Sequence, residues 1–149
     1  MSLPALWPNG HLPPGVHEAT LSEVVESFGT NTPRRQVLAS RLQELLNLAR
    51  DTSKLQRLFI WGSFVTDKLF PRDLDVFLLM QEGFDREFSA LSPPQRYVFE
   101  HESARLLFEA DIFWATEAIG AAILVSWLGV YQLTRDMEQR GIVEVIFDD

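Results

Sequence analysis

Gly62-Ser63, nine further residues, then Asp73-Leu74-Asp75 form the part of this chain best suited to chemistry. Asp73 and Asp75 are two residues apart, so on a strand they point to the same face with Cα atoms roughly 6.5–7 Å apart. Two carboxylates held this close repel each other and resist desolvation unless something compensates, and a divalent cation is the simplest compensation. Magnesium takes one or two protein carboxylates and completes its shell with water and substrate phosphates. Gly62 lets a ligand approach the backbone and lets the chain turn sharply. Ser63 adds a hydroxyl and an N–H. A short helix over residues 64–69 is expected to aim its first amides at an anion. The pair thus reads as a phosphate site beside a metal site. Pro71-Arg72-Asp73 also fits an ordinary turn; the Gly-Ser pair at this spacing, between two apolar runs, is what favours chemistry.

The elements around these motifs follow from pattern. Leu58–Trp61 leads into the glycine, and a first strand is expected over residues 57–61. Val76–Met80 is apolar on both faces, as in a strand covered on both sides, and the second strand is set at residues 73–80. Upstream, Thr20-Leu21-Ser22-Glu23 fits a capping box opening a short helix that stops by Gly29. Thr32 caps another helix with Pro33 at its first position, and Val37, Leu38, Leu42, Leu45, Leu46 and Ala49 recur at helical spacing as its core face. Residues 81–91 read as a polar loop. Pro93-Pro94 opens a helix to about Phe108, and a third strand is expected over residues 109–114 with Glu109 and Asp111 on one face. A long helical region over residues 116–140, with a break near Gly129, and a final strand over residues 142–147 complete an α/β layered domain. Residues 1–15, rich in proline and glycine, read as an extended arm packing Leu3, Leu6 and Trp7 against a domain of residues 16–149. Trp114, Trp127 and the phenylalanines fall where a core needs them.

Gly-Ser, nine residues, then Asp-hydrophobic-Asp resembles the polymerase-β-type nucleotidyltransferase superfamily. Within it, Gly62-Ser63-Phe64-Val65-Thr66-Asp67-Lys68 and Pro71-Arg72-Asp73-Leu74-Asp75 are similar to small uncharacterised bacterial members, as are Leu12-Pro13-Pro14-Gly15 and Gly141-Ile142-Val143-Glu144. The resemblance implies a single-domain nucleotidyltransferase-like fold, a mixed sheet flanked by helices. It implies that Asp73 and Asp75 hold magnesium or manganese, that Gly62 and Ser63 hold a nucleoside triphosphate, and that a third carboxylate on a later strand serves as ligand and base. Asp111, inside Ala110-Asp111-Ile112, matches that position; Glu109 competes for it. Lys68 and Arg72 lie between the motifs, within reach of phosphate. Thr66-Asp67 stands where many small relatives carry Arg-Gly, so a phosphate-binding arginine is missing. No acceptor-binding domain is visible, so the acceptor site is expected from a partner protein, as in a toxin–antitoxin pair, from a second copy, or from the N-terminal arm. The alternative is a protein-binding module that keeps the fold with an idle acidic site.

Composition narrows the field. The chain has 149 residues, 46% of them apolar, enough for one domain with a proper core. Thirteen basic against twenty-one acidic residues give a net charge of −8, which disfavours a grip on bulk nucleic acid. No apolar run is long enough to span a bilayer, and no secretory signal is visible. The absence of cysteine fits a reducing cytoplasm.

Overall fold

The structure, a computed structural model, describes residues 3–147. Five strands form one mixed sheet in the order β1-β5-β2-β3-β4. These are β1 (Gly15–Thr20), β2 (Leu55–Trp61), β3 (Leu74–Met80), β4 (Ala110–Thr116) and β5 (Gly141–Ile146). The helices are α1 (Leu21–Phe28), α2 (Pro33–Asp51), α3 (Pro93–Phe99), α4 (His101–Phe108) and α5 (Ala121–Tyr131). β1 runs parallel to β5 and β3 parallel to β4, while β2 is antiparallel to both of its neighbours. The expected α/β architecture, a mixed sheet flanked by helices, is therefore the one observed.

The two sheet faces are covered unequally. Leu58, Ile60, Leu74, Val76, Leu78, Ala110, Ile112, Val143 and Val145 form one face and pack against α1 to α4. Phe59, Trp61, Phe77, Leu79 and Ile142 form the other and meet α5, through Leu124 and Leu128, and Ile119 just ahead of it. The first face carries the main core, and the second stays open along much of its width. Residues of β3 alternate between these faces, which is why its sequence is apolar at nearly every position.

Local signals hold where they are chemically specific. Thr20 and Glu23 close a capping box at α1, and Thr32 caps α2 with Pro33 in its first turn. Leu38, Leu42, Leu45, Leu46 and Ala49 are buried as expected, but Val37 faces outward. Leu3 and Leu6 pack on the main core, whereas Trp7 is exposed. Gly15 begins β1, a strand that the sequence pattern did not reveal. The stretch over residues 81–91 is not a plain polar loop. Phe84–Ala90 forms a 3₁₀ helix, with Phe84 buried against Phe99 and Trp114.

Other boundaries move for identifiable reasons. The helix expected to run from Pro93 to Phe108 breaks at Glu100, whose backbone is extended; the Phe99 carbonyl freed there accepts a hydrogen bond from Trp114 Nε1 at 3.1 Å. The apolar helix does not reach Arg140. A 3₁₀ turn (Glu117–Ile119) and Gly120, at φ 85°, precede α5; Gly129 lies inside the helix, which ends at Tyr131. Beyond it the Thr134 hydroxyl accepts from the Glu138 N–H at 3.1 Å, a local bond that competes with helix and turns the chain back toward β5. Trp127 and Phe113, expected in the core, are substantially exposed on the open face.

One buried side chain ties α2 to the segment between the two motifs. The Arg35 guanidinium, 2% exposed, donates to the carbonyls of Phe28, Phe64, Thr66 and Lys68. Arg34, beside it, donates to the carbonyls of Pro71 and Arg72 and to Glu109. Two arginines in the first turn of a helix oppose its dipole; here the carbonyls and Glu109 supply the compensating negative charge. Arg35→Leu should cost about 3–5 kcal/mol in urea unfolding, because it strands several buried carbonyls at once. Arg35→Lys should recover only part of this, since an ammonium cannot reproduce the planar fork. A loss below about 1 kcal/mol would show that water satisfies those carbonyls unaided.

Candidate metal centre

Asp73, Asp75 and Asp111 come together at one end of β3 and β4. The two strands are parallel and in register, with Leu74 beside Ala110 and Asp75 beside Asp111. Asp73 lies just ahead of β3, which begins at Leu74, and two residues of extended chain put it on the same side as Asp75. One carboxylate oxygen from each of the three lies within 4.8 Å of the others. All three residues sit on the open face, half-buried.

The cluster is electrostatically uncomfortable without a cation. Burial, then the charges of Asp73 and Asp111, push the Asp75 carboxyl up from 3.8 to about 7, against the pull of Arg140 and Arg135. Burial and Asp111 likewise raise Asp73, opposed by Arg105, Arg34 and Arg72. Asp111 Oδ1 is buried and accepts no hydrogen bond. Arg105 Nε at 3.5 Å and His101 Nε2 at 3.8 Å face it as ion-pair partners, both from exposed side chains on α4. Three convergent carboxylate oxygens, one of them buried and without a hydrogen bond, fit the hard oxygen-ligand set of magnesium or manganese.

Gly62 stands directly behind Asp75. Its φ of 83° and ψ of −162° are open to glycine alone, and a Cβ there would lie 2.1 Å from Asp75 Oδ2. The need for glycine thus arises from the neighbouring carboxylate as well as from the turn. The helix expected over residues 64–69 is only a single 3₁₀ turn, Ser63–Val65, because Arg35 holds the carbonyls of Phe64, Thr66 and Lys68 in an irregular loop. That turn is too short to focus a helix dipole on an anion. The Ser63 carbonyl accepts from the Thr66 hydroxyl at 2.7 Å, while its own hydroxyl has no partner among the described residues.

Two sequence candidates are relocated. Glu109 does not share a strand face with Asp111: it occupies the left-handed turn ending α4, at φ 51°, ahead of β4. Its carboxylate pairs with Arg34 at 2.7 Å and faces Arg41 at 3.5 Å, and the Arg34 hydrogen bond lowers its pKa. Lys68 serves through its backbone: its carbonyl accepts from Arg35 and its N–H donates to the Thr66 hydroxyl, while its side chain is exposed. The cations acting on the carboxylates are arginines instead, among them Arg140. That side chain donates through Nε to the Tyr131 carbonyl at 3.1 Å and has Asp75 as its electrostatic counterpart. Arg140 escapes a sequence search because only the insertion of β5 beside β2 brings it near residues 62–75.

Aromatic rings border the carboxylates. Trp61 pairs with Asp75 across β2 and β3 and stacks on Tyr131, with centroids 3.8 Å apart and planes 12° apart. Phe113 lies 6.1 Å from Trp61 at 26°.

Fold and site together define a small α/β domain with a three-aspartate cluster at the mouth of two parallel strands. The chain belongs to DUF6932, a family of unknown function whose profile covers residues 4–146. No curated protein matches it. Among the described residues no helix is long and apolar enough to cross a membrane.

The raised pKa of Asp75 sets the sign of a pH effect. Its folded value lies above its unfolded one, so the neutral carboxyl favours the folded state. Stability without metal should therefore fall as pH rises from about 4 to about 7 and then level off. Asp75→Asn should flatten this slope and melt higher than the parent at pH 8 in chelator, with the difference closing near pH 4. A less stable mutant at pH 8 would show that the carboxylate is a structural partner.

Proposed function

We propose that this protein is a metal-dependent nucleotidyltransferase that moves a nucleoside monophosphate from a nucleoside triphosphate to a hydroxyl acceptor. The observation that carries this reading is the convergence of Asp73, Asp75 and Asp111, with Asp111 Oδ1 buried and without a hydrogen bond, beside the Gly62-Ser63 turn. The resemblance of residues 62–75 to the polymerase-β-type superfamily supplies the reaction class.

On this reading Asp73, Asp75 and Asp111 hold magnesium or manganese. An ion held there would supply charge neutralisation at the triphosphate. The Ser63 hydroxyl, without a partner among the described residues, and its N–H receive the phosphates distal to the reacting phosphorus. Arg140 and Arg135 add positive charge on that side, in place of the arginine missing from Thr66-Asp67. The acceptor oxygen attacks the α-phosphorus, the bond to the bridging oxygen breaks, and pyrophosphate leaves. Asp111 takes the proton of the acceptor hydroxyl. The acceptor is carried by a partner protein, as in a toxin–antitoxin pair, and the cysteine-free chain works in the cytoplasm.

A second reading, a partner-binding module with an idle acidic site, is favoured by α5. This helix carries no charged residue, and Ile123, Val125, Trp127 and Val130 are exposed on it. Large exposed apolar patches mark interaction surfaces.

Thermal melting separates the readings. Magnesium or manganese with a nucleoside triphosphate should stabilise the fold more than either alone, by about 2.7 kcal/mol at a hundredfold excess over Kd. The gain should vanish in Asp73→Asn and shrink in Ser63→Ala. Release of pyrophosphate with a suitable acceptor would establish the transfer. A screen of all ribo- and deoxyribonucleotides with both metals that produces no shift would leave the binding module.

A further inference from the structure

Phe113 is one of the large apolar side chains that the fold leaves exposed. It lies on β4 two positions beyond Asp111, on the same face and so roughly 6.5–7 Å along the strand. Phe113 is 45% exposed, although Phe77, its β3 pairing partner on the same face, is buried. A single exposed phenylalanine on an edge strand is unremarkable by itself. This one adjoins the carboxylate cluster and continues an aromatic row. Tyr131 stacks on Trp61, Trp61 lies beside Phe113 at 26°, and His101 flanks Phe113 with centroids 5.8 Å apart. The row runs past Asp75, the strand partner of Trp61, and Asp111, which His101 also faces.

From this arrangement we infer that Phe113 is the stacking platform for the planar base of the nucleotide, with Trp61 bracing it from behind. The inference rests on the nucleotidyltransferase reading and extends it to a subsite. A phosphate held at the carboxylates and a base on Phe113 are separated by one residue pair of strand, a distance comparable to the ribose between them. Every base has a π-face, so a phenyl platform contributes affinity with little preference among bases. The negative cluster keeps the phosphates at the metal, while the apolar ring beside it takes the part of the ligand that carries no charge. Trp61, by contrast, is 7% exposed and offers its ring chiefly to Tyr131 and Phe113. Its role is to fix the tilt of the platform, as a positioning residue.

Calorimetric titration in manganese would test the platform, comparing a nucleoside triphosphate with inorganic tripolyphosphate. The parent protein should bind the nucleotide about tenfold more tightly than tripolyphosphate, the extra affinity coming from stacking. Phe113→Leu should erase that difference while leaving the affinities for manganese and tripolyphosphate unchanged, and Phe113→Tyr should restore it. Equal binding of the two ligands by the parent overturns the platform and leaves the nucleotidyltransferase reading standing. A parallel loss of tripolyphosphate and manganese binding in Phe113→Leu assigns the ring to structure and overturns the platform as well. Failure of the parent to bind either polyphosphate removes the platform together with the reading beneath it. The parent's two titrations decide the question even if a variant does not fold.

Discussion

The geometry of the acidic site depends on a buried guanidinium that never touches it. Arg35 gathers carbonyls from the end of α1 and from Phe64, Thr66 and Lys68, so the loop between Ser63 and Asp73 cannot relax into helix or drift into solvent. A buried arginine is costly to desolvate, and burial does lower its pKa. Four carbonyl acceptors in planar reach make that burial tolerable, and each would itself be expensive to leave unpaired. Arg34 repeats the device at the other end of the loop through Pro71, Arg72 and Glu109. Two adjacent side chains at the start of α2 thereby set the separation between Gly62 and Asp73.

The uneven covering of the sheet explains where charge can accumulate. On the helix-covered face, β3 and β4 present leucine, valine, isoleucine and alanine to a dry core. On the other face α5 covers the aromatic residues around Phe77 and leaves the strand ends open, so Asp73, Asp75 and Asp111 keep partial access to solvent. The cluster is poised between two costs. Deeper burial would neutralise the carboxylates outright, and full exposure would release the mutual repulsion that makes a cation welcome. The same openness leaves α5 with an apolar outer surface, so the face that holds the charges is also the face with room for another molecule.

Much of this was legible locally. The capping residues Thr20, Glu23 and Thr32 act within one helical turn, and strand β3 declared itself through apolar residues at consecutive positions; such signals survive in any tertiary context. The spacing of Gly62, Ser63, Asp73 and Asp75 likewise pointed to the strand end where the aspartates cluster. Gly62 in particular is demanded twice, by its backbone angles and by the carboxylate of Asp75 behind it. Less legible were the break at Glu100, where no proline or glycine stands, and β1, whose pairing with β5 joins residues more than a hundred positions apart.

The sequence by itself determined the α/β class, the main helix starts and the first two carboxylates, because these rest on chemistry between near neighbours. Tertiary structure decided which later acid joins them. The parallel register of β3 with β4 puts Asp111 beside Asp75, while a left-handed turn sends Glu109, only two residues earlier, across to the arginines of α2. Tertiary structure also brought in Arg140, through the insertion of β5 next to β2, and left Phe113 uncovered beside the site. Strand pairing is chosen by the whole core, through contacts distant in sequence, so the far members of the site could be named as candidates from the chain but placed only by the fold.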